Sequence, residues 1–216
     1  MTIMRISYWL LSICLALSAV GCASSPSRFY ILASAAKAGG EEAVPRAILV
    51  GPVSVPAAVD RSEFVVQVAP NRVEIDEFNR WAAPLPDGIT RAVVGDLAVL
   101  LATPDVAAAP LANFDPAYRV TIDVQQFDSI RGQGAQLDAV WAVRSVASDS
   151  TRAGRTDVSE TVADESYEEL AAAHSRALAR LSSDIAAAIR AAVAAEGEAA
   201  AGKSPAAKKA TRAVSR

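Results

Sequence analysis

The sequence predicts an α+β domain, a largely antiparallel or mixed β-sheet with two helices packed on one face. Three observations predict it. Apolar residues alternate strictly with polar ones over Tyr118, Val120, Ile122 and Val124, and again over Leu137, Ala139, Trp141 and Val143, which is the period of a half-buried strand. Two other stretches, from Ile89 to Leu101 and from Tyr167 to Val193, carry apolar residues at helical spacing. A one-sided sheet and a one-sided helix each need a partner layer, and they satisfy one another.

The elements follow in order. Residues 28–32, RFYIL, form a short run of aromatic and branched residues suited to a strand. After the KAGGEEAVP loop, RAILVGPVSVP resumes an extended pattern, which Gly51 and Pro52 interrupt and Pro56 ends, so an edge or a bulge is expected there. SEFVVQV, the turn at Pro70 and Asn71, and RVEI read as a hairpin. In its second arm Val73 and Ile75 are expected to face the core, with Arg72, Glu74 and Asp76 on a solvated face. Glu77 then breaks the alternation, and Trp81 stands where the chain must change direction. Pro84 and Pro86 suit the entry and first turn of a helix, where no backbone donor is needed, and Asp87 complements the positive end of its dipole. Ile89, Val93, Leu97, Leu100 and Leu101 make its apolar stripe. RGQG at 131–134 turns the chain between the two alternating strands, and residues 150–162 add a largely polar one. A long helix is expected from Asp164 to Ser166 onward, with Tyr167, Leu170, Leu178, Leu181, Ile185, Ile189 and Val193 facing the sheet. Arg176, Arg180 and Asp184 lie on its other face, the last two at pairing distance.

The N-terminus points to a compartment. Arg5 precedes an apolar run of only thirteen residues, from Tyr8 to Val20, too short for a spanning helix of about 20 residues. It reads as a secretory signal over residues 1–21. Ala19, Val20 and Gly21 abut Cys22 as in a bacterial lipobox, in which the cysteine becomes the first residue and carries acyl chains. The alternative is a plain signal peptide with a cysteine beyond the cut. Cys14 is lost with the signal, so Cys22 would then be a lone thiol in an oxidising space; lipidation removes that oddity. Each buried methylene contributes about 0.8 kcal/mol, so several chains anchor firmly. Ala23 is not the aspartate that favours inner-membrane retention in such lipoproteins, and the outer membrane, periplasmic side, is the expected address. Residues 22–27 form a polar tether, residues 28–195 one domain, and residues 196–216 an Ala/Lys-rich tail expected to be disordered.

Removal of 21 of 216 residues leaves 195, with 20 basic and 24 acidic residues. This balance offers nothing to nucleic acid. Nor does a reaction centre emerge. His174, the only histidine, falls on the apolar stripe four residues from Leu170 and from Leu178, and reads as a structural residue at the helix–sheet interface. One histidine without cysteines makes no ordinary zinc site, and there is no nucleophile elbow, phosphate loop or dinucleotide fingerprint. No cofactor, metal or enzymatic activity is expected. The density of charges in EIDEFNRWAAPLPDGITRAV, residues 74–93, is explained by a strand face and a helix start.

Behind the lipobox, FYIL, VGPVSVPAAVDRSEFVVQVAPNRVEIDEFNRWAAPLPDGI and LAAAHSRALARLSSDIAAAI succeed one another. In that order they resemble the PqiC-like ABC-type transport auxiliary lipoproteins, over roughly residues 22–193. The glycine–proline strand leading to VDR, the FNRWAAPL joint and the AHSRALARLS helix carry the resemblance. It implies partnership with a periplasmic MCE-domain protein and an inner-membrane ABC permease that move lipid between two membranes, with no turnover of the protein's own. Arg80 and Trp81 are the candidate motif, either locking the strand-to-helix corner or meeting a partner. A structural envelope lipoprotein that binds cell wall or an outer-membrane machine is the alternative, supported by the basic tail. A homo-oligomer and a lipid held within the domain are both compatible with the apolar stripes.

Overall fold

The structure, a computed structural model, describes residues 26–213. Cys22 and the signal segment lie outside the described residues. Among the described residues, eight strands form one mixed sheet and two helices cover one face of it. The strands are β1 (Arg28–Tyr30), β2 (Ile48–Ser54), β3 (Glu63–Ala69), β4 (Arg72–Trp81), β5 (Val106–Ala108), β6 (Tyr118–Ile130), β7 (Gly134–Ser145) and β8 (Thr151–Thr161). The helices are α1 (Leu85–Leu100) and α2 (Tyr167–Ala213). The α+β class and the layering are as predicted.

β6 is the spine. On one side it pairs antiparallel with β7, which pairs antiparallel with β8. On the other it receives two strands in parallel, β2 along its first half and β3 at its end, where Val66 meets Ser129. β3 continues through the antiparallel hairpin to β4, and β1 adds to β4 in parallel, Tyr30 beside Trp81. The parallel pairs and the short β5 beside β2 are what local pattern does not reveal, because both depend on how distant segments return to the sheet.

α1 covers β2 and β5, and α2 covers β7 and β8 while packing against α1. Pro84 stands at the N-cap of α1 and Asp87 in its first turn, as the sequence predicts. Ser166 caps α2 by accepting the Glu169 N–H at 3.2 Å. The stripe of Leu170, Leu178, Leu181, Ile185 and Ile189 is buried. At the far end Glu196 accepts hydrogen bonds from Tyr118 Oη at 2.9 Å and Ser145 Oγ at 2.6 Å. From Tyr167 to Glu196 a helix rises roughly 44 Å, close to the roughly 44 Å of a thirteen-residue strand such as β6. One helix therefore spans the whole sheet.

α2 continues past Glu196, which is bonded to the sheet, to Ala213. Two expectations are corrected. Arg180 and Asp184 do not pair. Arg176 and Arg180 both approach Glu160 on β8, at 3.2 and 3.7 Å, and Asp184 accepts from Thr156 Oγ1 at 2.5 Å, because β8 rises beside that face of α2. In β4 the expected polarity fails in part. Arg72 and Glu74 are exposed as expected, but Val73 and Ile75 are exposed too, while Asp76 is half-buried on the inner side beside Phe64.

The departure has a geometric cause. Glu63 and Phe64 are neighbours on β3, yet their partners on β4 are Arg80 and Asp76, so residues 77–79 bulge out of the ladder. An odd insertion flips the phase of a strand with period two, and Asp76 and Trp81 both come to face inward. A second irregularity, between Val124 and Gln126 in β6, does the same. Val120, Ile122 and Val124 face inward before it, Phe127 and Ser129 after it.

Gly154 has a packing role on β8. A Cβ there would lie 2.3 Å from Trp141 Cζ2, and the indole is held by its Nε1 hydrogen bond to Thr156 Oγ1 at 3.1 Å. Gly154→Ala is expected to destabilise the fold by about 1–3 kcal/mol, the usual cost of overpacking, as a lowered urea midpoint with an unchanged slope; an unchanged midpoint would show that the ring moves freely.

Candidate functional site

The residues that stand out in the sequence converge at one end of the sheet. Trp81 ends β4, is buried, and stacks on Phe64 with ring centroids 4.1 Å apart. Phe127 and His174 complete the group, the imidazole lying flat on Phe127 at 3.8 Å and meeting Trp81 edge-on at 6.1 Å. Tyr30 and Tyr167 close it from β1 and α2, each edge-on to Phe64. Such geometries satisfy the ring quadrupoles as well as burying area. The FNRW joint, the EF pair of β3 and the AHSR turn of α2 thus belong to a single aromatic cluster.

Around it lies a polar collar. Asp76 accepts hydrogen bonds from Asn79 Nδ2 at 2.9 Å, from Tyr167 Oη at 2.8 Å and from the N–H groups of Phe78 and Asn79 at 2.8 and 3.0 Å. Tyr30 Oη donates to Asn79 Oδ1 at 2.7 Å. The bulge is therefore fixed by its own first carboxylate, and its tip is tied to β1 and α2. Burial works against ionisation of Asp76, but these hydrogen bonds outweigh it and hold the carboxyl down at about 2. On the outer side of the same corner Arg80 is half-buried and pairs with Glu63, and the hydrogen bond from Arg80 draws Glu63 down to about 2.

His174 is fully buried, and burial lowers its pKa to about 3, so the ring is neutral. Its Nε2 lies 2.8 Å from Ser129 Oγ, a hydroxyl brought inward by the β6 irregularity. A hydroxyl beside an imidazole is the start of a nucleophilic pair, but Nδ1 has no hydrogen-bond partner to orient it, and Ser129 is only 3% exposed. Nucleophilic catalysis needs an orienting group and substrate access; this pair has neither. Among the described residues no group of three or more His, Cys, Asp or Glu is placed to hold a metal.

Sequence reasoning missed one residue of equal structural weight. Asp96, on the inner side of α1, is fully buried. Its Oδ1 accepts from Ser34 Oγ at 2.8 Å and from the N–H groups of Ala35 and Ala36 at 2.8 and 2.9 Å, and its Oδ2 accepts from Ser182 Oγ on α2 at 3.2 Å. One carboxylate thus ties the strap after β1 to both helices. The available signal was an acid three residues after Val93 and next to Leu97, in the middle of an apolar stripe.

The fold is thus a two-layer α+β domain whose distinctive residues pack inward at one end of the sheet. The chain belongs to the family described as ABC-type transport auxiliary lipoprotein component, whose model matches residues 30–186, in agreement with the PqiC-like resemblance. This is a family of lipoproteins of transport systems, which implies a place in the cell envelope. Two solved structures share the fold. One, described only as an uncharacterized protein, is 20% identical with a TM-score of 0.61, covering 76% of this chain and 99% of its own. The other, protein XCC0632 from Xanthomonas campestris of the DUF330 family, is 17% identical with a TM-score of 0.61, covering 74% of this chain and 92% of its own. No curated protein matches.

Two outcomes are expected at the corner. Trp81→Ala should cost about 3–5 kcal/mol, as for other buried large-to-small aromatic changes, read by urea unfolding; a folded, equally stable variant that no longer captures its partner would instead make Trp81 an interface residue. Asp76 has a folded pKa below its ordinary value of 3.8, so the stability it contributes is complete above that pH and is lost as pH falls towards about 2. Asp76→Asn should flatten that part of the acid limb in urea midpoints measured against pH; an unchanged limb would contradict the role given to its hydrogen bonds.

Proposed function

We propose that this protein is the outer-membrane-anchored auxiliary component of an MCE/ABC-type intermembrane lipid transport system, acylated at Cys22 and working on the periplasmic side without turnover of its own. The observation that carries the reading is the family match over residues 30–186 immediately behind a cysteine in lipobox context. Its partners on this reading are a periplasmic MCE-domain protein and an inner-membrane ABC permease. Among the described residues no helix is long and apolar enough to cross a membrane, so attachment would rest on the acyl chains.

Within the domain, Trp81 acts as the lock of the strand-to-helix corner. Arg80, half-buried on the outer side, braces the same corner through its pair with Glu63.

Crosslinking in cells with a tagged full-length protein tests the reading. Capture of an MCE-domain protein or a permease is expected, together with loss of the protein from the membrane fraction in Cys22→Ala. Capture of cell-wall enzymes or an outer-membrane machine alone would favour a structural envelope lipoprotein instead.

A further inference from the structure

The outer side of the sheet is not uniform. Over β6 it is polar, with Arg119, Thr121, Asp123 and Gln125 exposed. At the β1–β4 corner it is apolar: Phe29 is 64% exposed, Ile31 66%, Ile75 48% and Phe78 45%. The phase flip in β4 puts Ile75 on this side, and the bulge thrusts Phe78 out. Ile75 and Phe78 line a shallow hollow together with Ser27, Arg61, Glu63, Glu77 and Arg80, and Phe29 pairs across the ladder with Arg80. Glu63 is taken up by Arg80, so the corner presents exposed apolar side chains with Arg61 and Glu77 at the rim of the hollow.

We propose that this corner rests on the surface of the bilayer that holds the acyl anchor, Phe29, Ile31, Ile75 and Phe78 entering the headgroup boundary while Arg61 meets lipid phosphates. It rests on the Cys22 anchoring proposed above. The occupant follows from chain length. Phe29 stands seven residues after Cys22, and seven residues span at most roughly 25 Å. The anchored cysteine therefore keeps this corner, where the chain enters the domain, within roughly 25 Å of the headgroups. Apolar and aromatic residues beside cationic ones suit that boundary, where the apolar part is buried and the charge stays wet. A patch of four side chains binds weakly by itself. Tethering makes the second contact intramolecular, so a weak contact suffices to hold the domain in one orientation. That orientation turns the far end of β6 and β7 away from the membrane.

The acylated full-length protein, reconstituted in vesicles of phosphatidylethanolamine with a minor share of phosphatidylglycerol, tests this with acyl chains brominated near the headgroup. Phe29→Trp and Ile31→Trp serve as reporters. Val146→Trp is the control, since Val146 is exposed and bonded to Ala117, roughly 40 Å along β6 from the join with β3. Emission is read above that of the unsubstituted protein. Bromine is expected to cause a several-fold loss at residues 29 and 31 and none at 146. Equal quenching at all three, or none at 29 and 31, overturns the docking. So does a blue shift at residue 29 that tracks protein concentration and ignores bromine, which would assign the patch to a second copy of the chain. Intact mass separates the two layers: an unacylated Cys22 overturns the anchor itself, whereas an acylated chain without quenching overturns only the docking.

Discussion

The contact on which the rest of the structure depends is the stack of Trp81 on Phe64, with Phe127 and His174 behind it. It joins strands that are far apart in the chain and seats the start of α2 on them. β3 meets β6 through only the pairs Val66 with Ser129 and Gln67 with Ile130, too short a ladder to fix the β1–β4–β3 flap by backbone bonds. Side-chain packing must supply the rest. The aromatic cluster does so from five elements at once, and the Asp76 and Asn79 collar keeps its edge in register.

Two irregularities make that cluster possible. A regular β4 would turn Trp81 or Asp76 outward, and a regular β6 would leave Phe127 and Ser129 on the wet side. Both strands instead change phase, one by the bulge at residues 77–79 and the other near Gln125. The same phase change that buries Trp81 exposes Ile75 and Phe78. A buried keystone and an exposed apolar corner are thus two results of one local distortion.

This also marks what the sequence discloses. Layers, both helices and the alternating strands were legible, because periods of 2 and 3.6 residues are written locally. The corner was legible as a place, through Glu77 and the prolines, but not in its polarity, because alternation shows that a strand has two faces without saying which of them meets the core. His174 was legible as structural from its position on the stripe, whereas its partner Ser129 was not. The four parallel pairings and the role of Asp96 depend on segments tens of residues apart, which no local period encodes.

The motif order that carries the resemblance therefore converges on a packing centre, with FNRW, EF and AHSR meeting side by side. Native-state hydrogen exchange on the full-length protein tests this most directly. The amides of Phe64, Val66 and Trp81 and those of α2 from Leu170 to Leu178 are expected to exchange together, among the slowest in the molecule, through one cooperative opening. Fast exchange of Phe64 and Trp81 while α2, β6 and β7 stay protected would show that the flap opens independently, and would contradict the account.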